Sequence, residues 1–163
     1  MTDSTITVQR VERVTQEIVD SFSRLLPMLS STATELSRAQ LEEIVSSQCL
    51  LVARDSTKGS IVGSITLVMF RIPTGLRAWI EDVVVDSAVR GGGIGELLTR
   101  AAVEFASRAG AKTIDLTSHQ SRVAAHRLYE KVGFSIRDTS VYLYAPMPAR
   151  ELKDESYPRG IPT

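Results

Sequence analysis

Residues 90 to 95 read Arg-Gly-Gly-Gly-Ile-Gly and join the apolar run Val83-Val84-Val85 to an amphipathic helical pattern that begins near Ile94. Glycine lets the backbone approach a ligand closely and adopt positive φ. The first N–H groups of a helix lack internal partners and carry the positive end of its dipole. A strand, a glycine turn and a helix in that order therefore form a cradle for an anion such as a phosphate or pyrophosphate. Two familiar phosphate loops do not fit. A Walker loop needs Gly-Lys-Ser/Thr where Gly95 is followed by Glu96-Leu97, and the dinucleotide fingerprint needs glycine where Glu96 stands.

What fits is R-x-x-G-x-G, with Arg90, Gly93 and Gly95. Some thirty residues further on, Ser121 to Phe134 ends in Leu128-Tyr-Glu-Lys-Val-Gly-Phe134. On a helical wheel Ala125, Leu128 and Val132 form one stripe with Arg122 and Tyr129 along its margin, Gly133 supplies a C-terminal cap and Phe134 re-enters the core. Together the loop and the closing helix resemble the GNAT N-acetyltransferase superfamily over about residues 60 to 145. The string Ile80-Glu-Asp-Val-Val-Val85 is similar to that of glucosamine-6-phosphate N-acetyltransferases.

The resemblance implies acetyl-CoA as acetyl donor. Backbone groups of Val83, Val84 and Val85 would pair with the pantetheine amides as an added strand does, and a free N–H there would serve as an oxyanion hole. Gly91, Gly92, Gly93 and Gly95, with the N–H groups of Ile94 and Glu96, would hold the pyrophosphate, and Arg90 would add charge. Many members carry an asparagine facing the cofactor where this chain has Arg122, which could reach a CoA phosphate instead.

Acetyl transfer to an amine requires removal of a proton from the amine, stabilisation of a tetrahedral oxyanion and protonation of the departing thiolate. Tyr129 is the candidate acid, because a phenol near pKa ~10 lies within about two units of a thiol near ~8.5. Glu81 or Asp82 is the candidate base. Adjacent strand residues face opposite ways, so only one reaches the cleft unless a bulge intervenes. His119 and His126 stand on a loop and a helix with no third ligand nearby, so no metal site is expected.

The elements that must position these groups run in the order βααβββαβαβ, an α+β pattern. Implied by the resemblance is the GNAT acyl-CoA N-acyltransferase fold, a mixed central sheet flanked by helices with two strands splayed to form the CoA cleft. The strands are expected at Ile6 to Val11, Leu50 to Arg54, Ile61 to Phe70, Arg77 to Val85 and Thr113 to Thr117, with one or two more between Phe134 and Tyr144. One helix carries Val14, Ile18, Phe22, Leu25 and Leu29, a second spans Ser37 to Ser47 with Ser37 as N-cap, and the third turns Ile94, Leu97, Leu98, Ala101, Ala102 and Phe105 inward.

The chain has 163 residues, enough for one domain with its own core. Residues 1–145 read as that single domain, and 146–163, with four of the six prolines, as a flexible tail. Lysine plus arginine equals aspartate plus glutamate at 19 each, so no global field favours nucleic acid or an anionic membrane. Cys49, the single cysteine, lies in an apolar strand. No signal-peptide pattern or membrane-length apolar run is present, and a cytoplasmic location is expected.

The expected function is transfer of acetyl from acetyl-CoA to the primary amine of a small molecule. A peptide or protein N-terminal or lysine acetyltransferase and a non-catalytic CoA-binding regulatory module are the alternatives. The acceptor pocket is expected from Ser30 to Leu36, Phe70 to Arg77 and the segment after Phe134, where Arg71 and Arg77 could bind an anionic acceptor or be solvated. Val141-Tyr-Leu-Tyr144 fits either a homodimer edge or ordinary core packing.

Overall fold

The computed structural model describes residues 5–30 and 34–144. Strand β1 (Ile6–Arg10) leads to helices α1 (Gln16–Leu29) and α2 (Arg38–Ser47). Strands β2 (Cys49–Asp55), β3 (Ile61–Ile72) and β4 (Gly75–Val85) follow, then α3 (Ile94–Arg108), β5 (Thr113–Leu116) and α4 (Val123–Val132). The strands form one mixed sheet in the order β1-β2-β3-β4-β5. Neighbours from β1 to β4 are antiparallel, and β4 and β5 are parallel.

Local chemistry explains the element ends. Ser37 and Gln40 form a reciprocal capping box, with Gln40 N–H donating to Ser37 Oγ at 3.3 Å and Ser37 N–H to Gln40 Oε1 at 2.9 Å. Asp55 Oδ1 accepts the N–H groups of Thr57 and Lys58 at 2.9 and 3.2 Å and so closes the β2–β3 turn. The β3–β4 hairpin is tighter than the expected turn from Arg71 to Leu76. Those two residues pair across the ladder, and only Pro73 and Thr74 remain between the strands.

Period-two alternation divides the apolar residues between two faces. On one, Leu51, Ile65, Leu67 and Ile80 pack against Ile94, Leu98, Ala102 and Ala106 of α3. On the other, Leu50, Val52, Ile61 and Val84 pack against Ile18, Phe22 and Leu25 of α1 and Leu41 of α2. Cys49 is buried in the sheet, and that burial pushes its thiol pKa up, so it behaves as a small apolar side chain. Leu97, expected inward, is 40% exposed. The helix's buried stripe runs through Ile94, Leu98, Ala102 and Ala106, and Leu97 lies to one side of it.

The strands expected after Phe134 are absent among the described residues, which carry no strand from Ser135 to Tyr144. Ile136, Val141, Tyr142, Leu143 and Tyr144 are all largely exposed. β-Branched and aromatic residues favour strands through packing on a pleated surface, and here their side chains have no such surface. The expected tail from residue 146 lies outside the described residues.

Candidate active site

The β4–β5 ladder runs from Arg77 opposite Thr113 to Ile80 opposite Leu116 and stops there. β4 continues through Glu81 to Val85 against β3 alone, so a gap opens on its other side. Backbone groups of Val83, Val84 and Val85 that are not engaged with β3 face this gap, and it can accept an extended chain of amides.

A bulge lies at the start of the gap. Thr66 pairs with Glu81 and Ser64 with Val84, so Ile65 stands opposite both Asp82 and Val83. Asp82 takes φ 51°, the positive-φ conformation that no other described non-glycine residue adopts. The bulge reverses the alternation. Ile80 and Val83 contribute to the α3-side core, whereas Glu81 shares the opposite face with its cross-strand partner Thr66. Asp82 lies on that opposite face too, lining a cavity of about 30 Å³ with Ser64, Thr66, Phe22, Leu26 and Leu36. Both candidate carboxylates thus face α1 and α2. Simple alternation would have allowed only one.

Beyond β4, Asp86 caps the short 3₁₀ turn Ser87–Val89, its Oδ1 accepting Ala88 N–H at 2.9 Å. Gly91 and Gly93 follow with φ of 85° and 76°, and a Cβ built on either meets no atom within 4 Å. Gly93 is the N-cap of α3 and offers no side-chain cap. The N–H groups of Ile94, Gly95 and Glu96 therefore remain available to a ligand. Arg90 Nε donates to Val85 O at 3.3 Å, which holds this side chain against the end of β4.

Glu96 plays a different part with its side chain. It meets Lys131 of α4 at 2.6 Å and Arg100 at 2.9 Å, and the Lys131 and Arg100 hydrogen bonds hold its carboxyl below the usual range. The carboxylate in the first turn of α3 is thereby engaged by two cations, and α3 is joined to α4. Gly95 allows this approach, since a Cβ there would stand 3.0 Å from Leu128 Cδ1.

On α4, Arg122 occupies the N-cap position and Tyr129 lies two turns further on. Tyr129 is half-buried, and desolvation raises its phenol pKa while the charge of Arg122 partly offsets that rise. Its ring meets Phe134 edge to face at 6.0 Å. Gly133, at φ 116°, donates its N–H to the Tyr129 and Glu130 carbonyls, so the expected cap and the inward return at Phe134 are both present. At the point where β4 and β5 part, just past β5, the buried Ser118 Oγ has no hydrogen-bond partner among the described residues. An open glycine cradle, a gap flanked by free amides and an orphaned hydroxyl at its mouth fit a ligand with a pyrophosphate and an extended amide arm.

Five further residues have specific places. Arg77, considered as an anion binder, is committed to Asp115 at 2.8 Å and to Thr113 Oγ1 at 3.0 Å. Its role is to clamp β4 to β5. His126 Nε2 donates to the His119 carbonyl at 3.1 Å, while His119 Nδ1 accepts Ser121 N–H at 3.2 Å, so both rings hold the loop before α4. Ser64 and Thr66, not singled out from the sequence, form the polar part of the cavity beside Asp82. Their signal was present as hydroxyls at alternate positions in an otherwise apolar strand.

The profile of the acetyltransferase (GNAT) family matches residues 12–134, and the chain belongs to that family. It is an N-acetyltransferase-type acyltransferase, with a GNAT fold. Glucosamine 6-phosphate N-acetyltransferase 1 of Oryza sativa subsp. japonica is 30% identical over 137 residues, covering 78% of this chain and 81% of that protein. Among solved structures, a putative acetyltransferase from Agrobacterium tumefaciens str. C58 superposes with TM-score 0.75 at 24% identity, covering 85% of this chain and 99% of that one. Glucosamine-6-phosphate N-acetyltransferase from Arabidopsis thaliana superposes with TM-score 0.70 at 22% identity, covering 86% and 98%. No helix among the described residues is long and apolar enough to cross a membrane.

Proposed function

We propose that residues 1–145 form a catalytic domain that moves the acetyl group of acetyl-CoA to the primary amine of a small molecule. The observation that carries this reading is the bulge that sets Glu81 and Asp82 on one face of β4, where its pairing with β5 ends and the gap begins. In the reaction the neutral amine attacks the thioester carbonyl carbon. A C–N bond forms, and the carbonyl oxygen takes up the negative charge. A free backbone N–H of Val83 to Val85 stabilises that oxygen. Glu81 or Asp82 accepts the amine proton, directly or through water. On collapse the C–S bond breaks and Tyr129 protonates the thiolate, leaving an amide and free CoA.

Arg122 and Arg90 supply positive charge to the CoA phosphates, and the glycines leave room for them. The acceptor lies against the α1–α2 face, where its charged ammonium form meets two carboxylates without a cationic partner among the described residues. Glucosamine 6-phosphate heads the amines to be tried, because the rice relative is named for it. Amino acids, polyamines and aminophosphonates follow. Copies of the chain would pair through the exposed Val141–Tyr144 segment, which sedimentation would test.

Release of CoA thiol from acetyl-CoA across this panel, with acetyl-CoA binding followed by calorimetry, tests the reading. Turnover with one amine class supports it. Turnover only with peptides moves the acceptor to protein N-termini or lysines, and binding without any turnover favours a regulatory module.

A further inference from the structure

Arg24, on α1, spans the distance between the acceptor-side helix and the start of the glycine loop. Its Nη2 donates to the Ile61 carbonyl at 2.5 Å, and its Nη1 is paired with Asp86 Oδ2. Asp86 is itself held at every polar group. Its Oδ1 accepts Ala88 N–H at 2.9 Å, its own N–H donates to Val62 O at 2.9 Å and its carbonyl accepts Val89 N–H at 3.1 Å. The carboxylate is only 15% exposed, so the Arg24 contact is shielded more than an ordinary surface pair.

We propose that Arg24 is a positioning residue for the donor loop, setting acetyl-CoA affinity through Asp86 without touching the reacting atoms. This rests on the assignment of Arg90–Gly95 as the acetyl-CoA site. The physical argument concerns order. Three of the four residues following Val89 are glycines, and they gain no side-chain packing of their own. Their position before a ligand arrives depends on what fixes Asp86 and the 3₁₀ turn. When that anchor is lost, the ligand must order the loop as it binds, and affinity falls. A guanidinium suits the task because its separate nitrogens serve a carbonyl on β3 and a carboxylate after β4 at once, whereas an ammonium is a single compact charge.

The same helix also covers the acceptor side. Phe22 and Leu26, flanking Arg24 on α1, line the cavity beside Asp82. Arg24 therefore links the wall of the acceptor face to the loop that would hold the donor.

The experiment measures acetyl-CoA binding by calorimetry for the wild type, Arg24→Met, Arg24→Lys and Asp86→Asn, with circular dichroism to establish folding. Steady-state rates are measured with an accepted amine. Arg24→Met is expected to weaken acetyl-CoA binding and raise its KM by roughly tenfold, with kcat at saturating donor within about twofold of wild type. Arg24→Lys should fall between the two. Asp86→Asn keeps an oxygen for Ala88 while losing the charge, and it should reproduce most of the effect even if Arg24→Met folds poorly. Folded variants that lose thermal stability but bind acetyl-CoA as wild type would overturn the proposal, leaving Arg24 a purely structural contact. A fall in kcat without a change in affinity would overturn it too. Failure of the wild type to bind acetyl-CoA would instead refute the loop assignment on which the proposal stands.

Discussion

Glu81 and Asp82 are adjacent in sequence, yet both face α1 and α2, because Ile65 on β3 is matched by two residues of β4 instead of one. The bulge places a carboxylate in the left-handed region at the point where β4 and β5 separate. Left-handed backbone costs a side-chain-bearing residue about 1–2 kcal/mol, and aspartate and asparagine tolerate it best among residues other than glycine.

That conformation allows charge and backbone to be tested apart. Asp82→Asn retains tolerance of positive φ and removes only the charge, while Asp82→Ala removes both. If Asp82 is the base, both variants should lower kcat by about 10²-fold with acetyl-CoA affinity intact. The alanine variant alone should then lose about a further 1 kcal/mol of stability. Glu81→Gln is the matched control. Full activity in Glu81→Gln and Asp82→Asn alike would remove the carboxylate pair from the chemistry.

Tyr129→Phe should lower turnover by about 10²-fold and leave acetyl-CoA binding nearly unchanged, since it removes one hydroxyl and keeps the ring against Phe134. Burial raises the phenol pKa, so the acid form persists past the ordinary value near 10. The stability that the neutral phenol contributes is fully present below that value and is lost only as pH rises through the raised pKa. Tyr129 should accordingly produce no alkaline fall in rate below about pH 10. A limb at lower pH that disappears in Tyr129→Phe would contradict this assignment.

Much of this arrangement could be read from residue order because it depends on local chemistry. The glycine run, the Ser37 N-cap and Gly133 each act within a few neighbours, and the apolar alternation specifies which faces are covered. Contacts between elements distant in sequence were not accessible in the same way. Nothing near Arg77 announces Asp115, and nothing near Glu96 announces Lys131. The bulge is a mismatch of register between two strands, so it exists only once β3 and β4 are paired. The strand expectation for Ser135–Tyr144 failed for the same reason, since propensity names a suitable surface residue and not the surface it needs.

Gly93 and Gly95 should fail differently. Gly93 is at φ 76° with open space around a built Cβ, so Gly93→Val introduces backbone strain of about 1–2 kcal/mol and obstructs the approach of a phosphate. The expected result is at least a tenfold loss of acetyl-CoA affinity in a folded protein. In Gly95→Ala the new methyl meets Leu128 Cδ1 at 3.0 Å, so α4 or that side chain must give. Alanine's better helix propensity, about 1 kcal/mol, offsets that crowding, so stability should change little, and kcat should change more than affinity because Tyr129 follows Leu128. Calorimetry and single-turnover rates separate the two patterns, and unchanged acetyl-CoA affinity in a folded Gly93→Val would remove Gly93 from the phosphate cradle.

Asp115 offers a test of the frame that holds the gap open. Burial would raise its carboxyl pKa, but hydrogen bonds from Arg77, Arg137 and Thr113 outweigh this and bring it below the usual carboxylate range. A carboxylate with a depressed folded-state pKa contributes stability that is fully present above its ordinary value near 3.9 and is lost as pH falls through the lowered one. Asp115→Asn should therefore cost about 1–3 kcal/mol at pH 7, by leaving Arg77 and Arg137 without their charged partner. The gap between variant and wild type should narrow on acidification below about pH 4, as the wild-type carboxylate takes up its proton. Thermal unfolding at pH 7 and pH 3 measures both quantities. A constant difference between them would mean that Asp115 acts through packing and not through its charge. Because Arg77 lies only three residues before the strands part at Ile80, a loss of stability in this variant should also be accompanied by weaker acetyl-CoA binding.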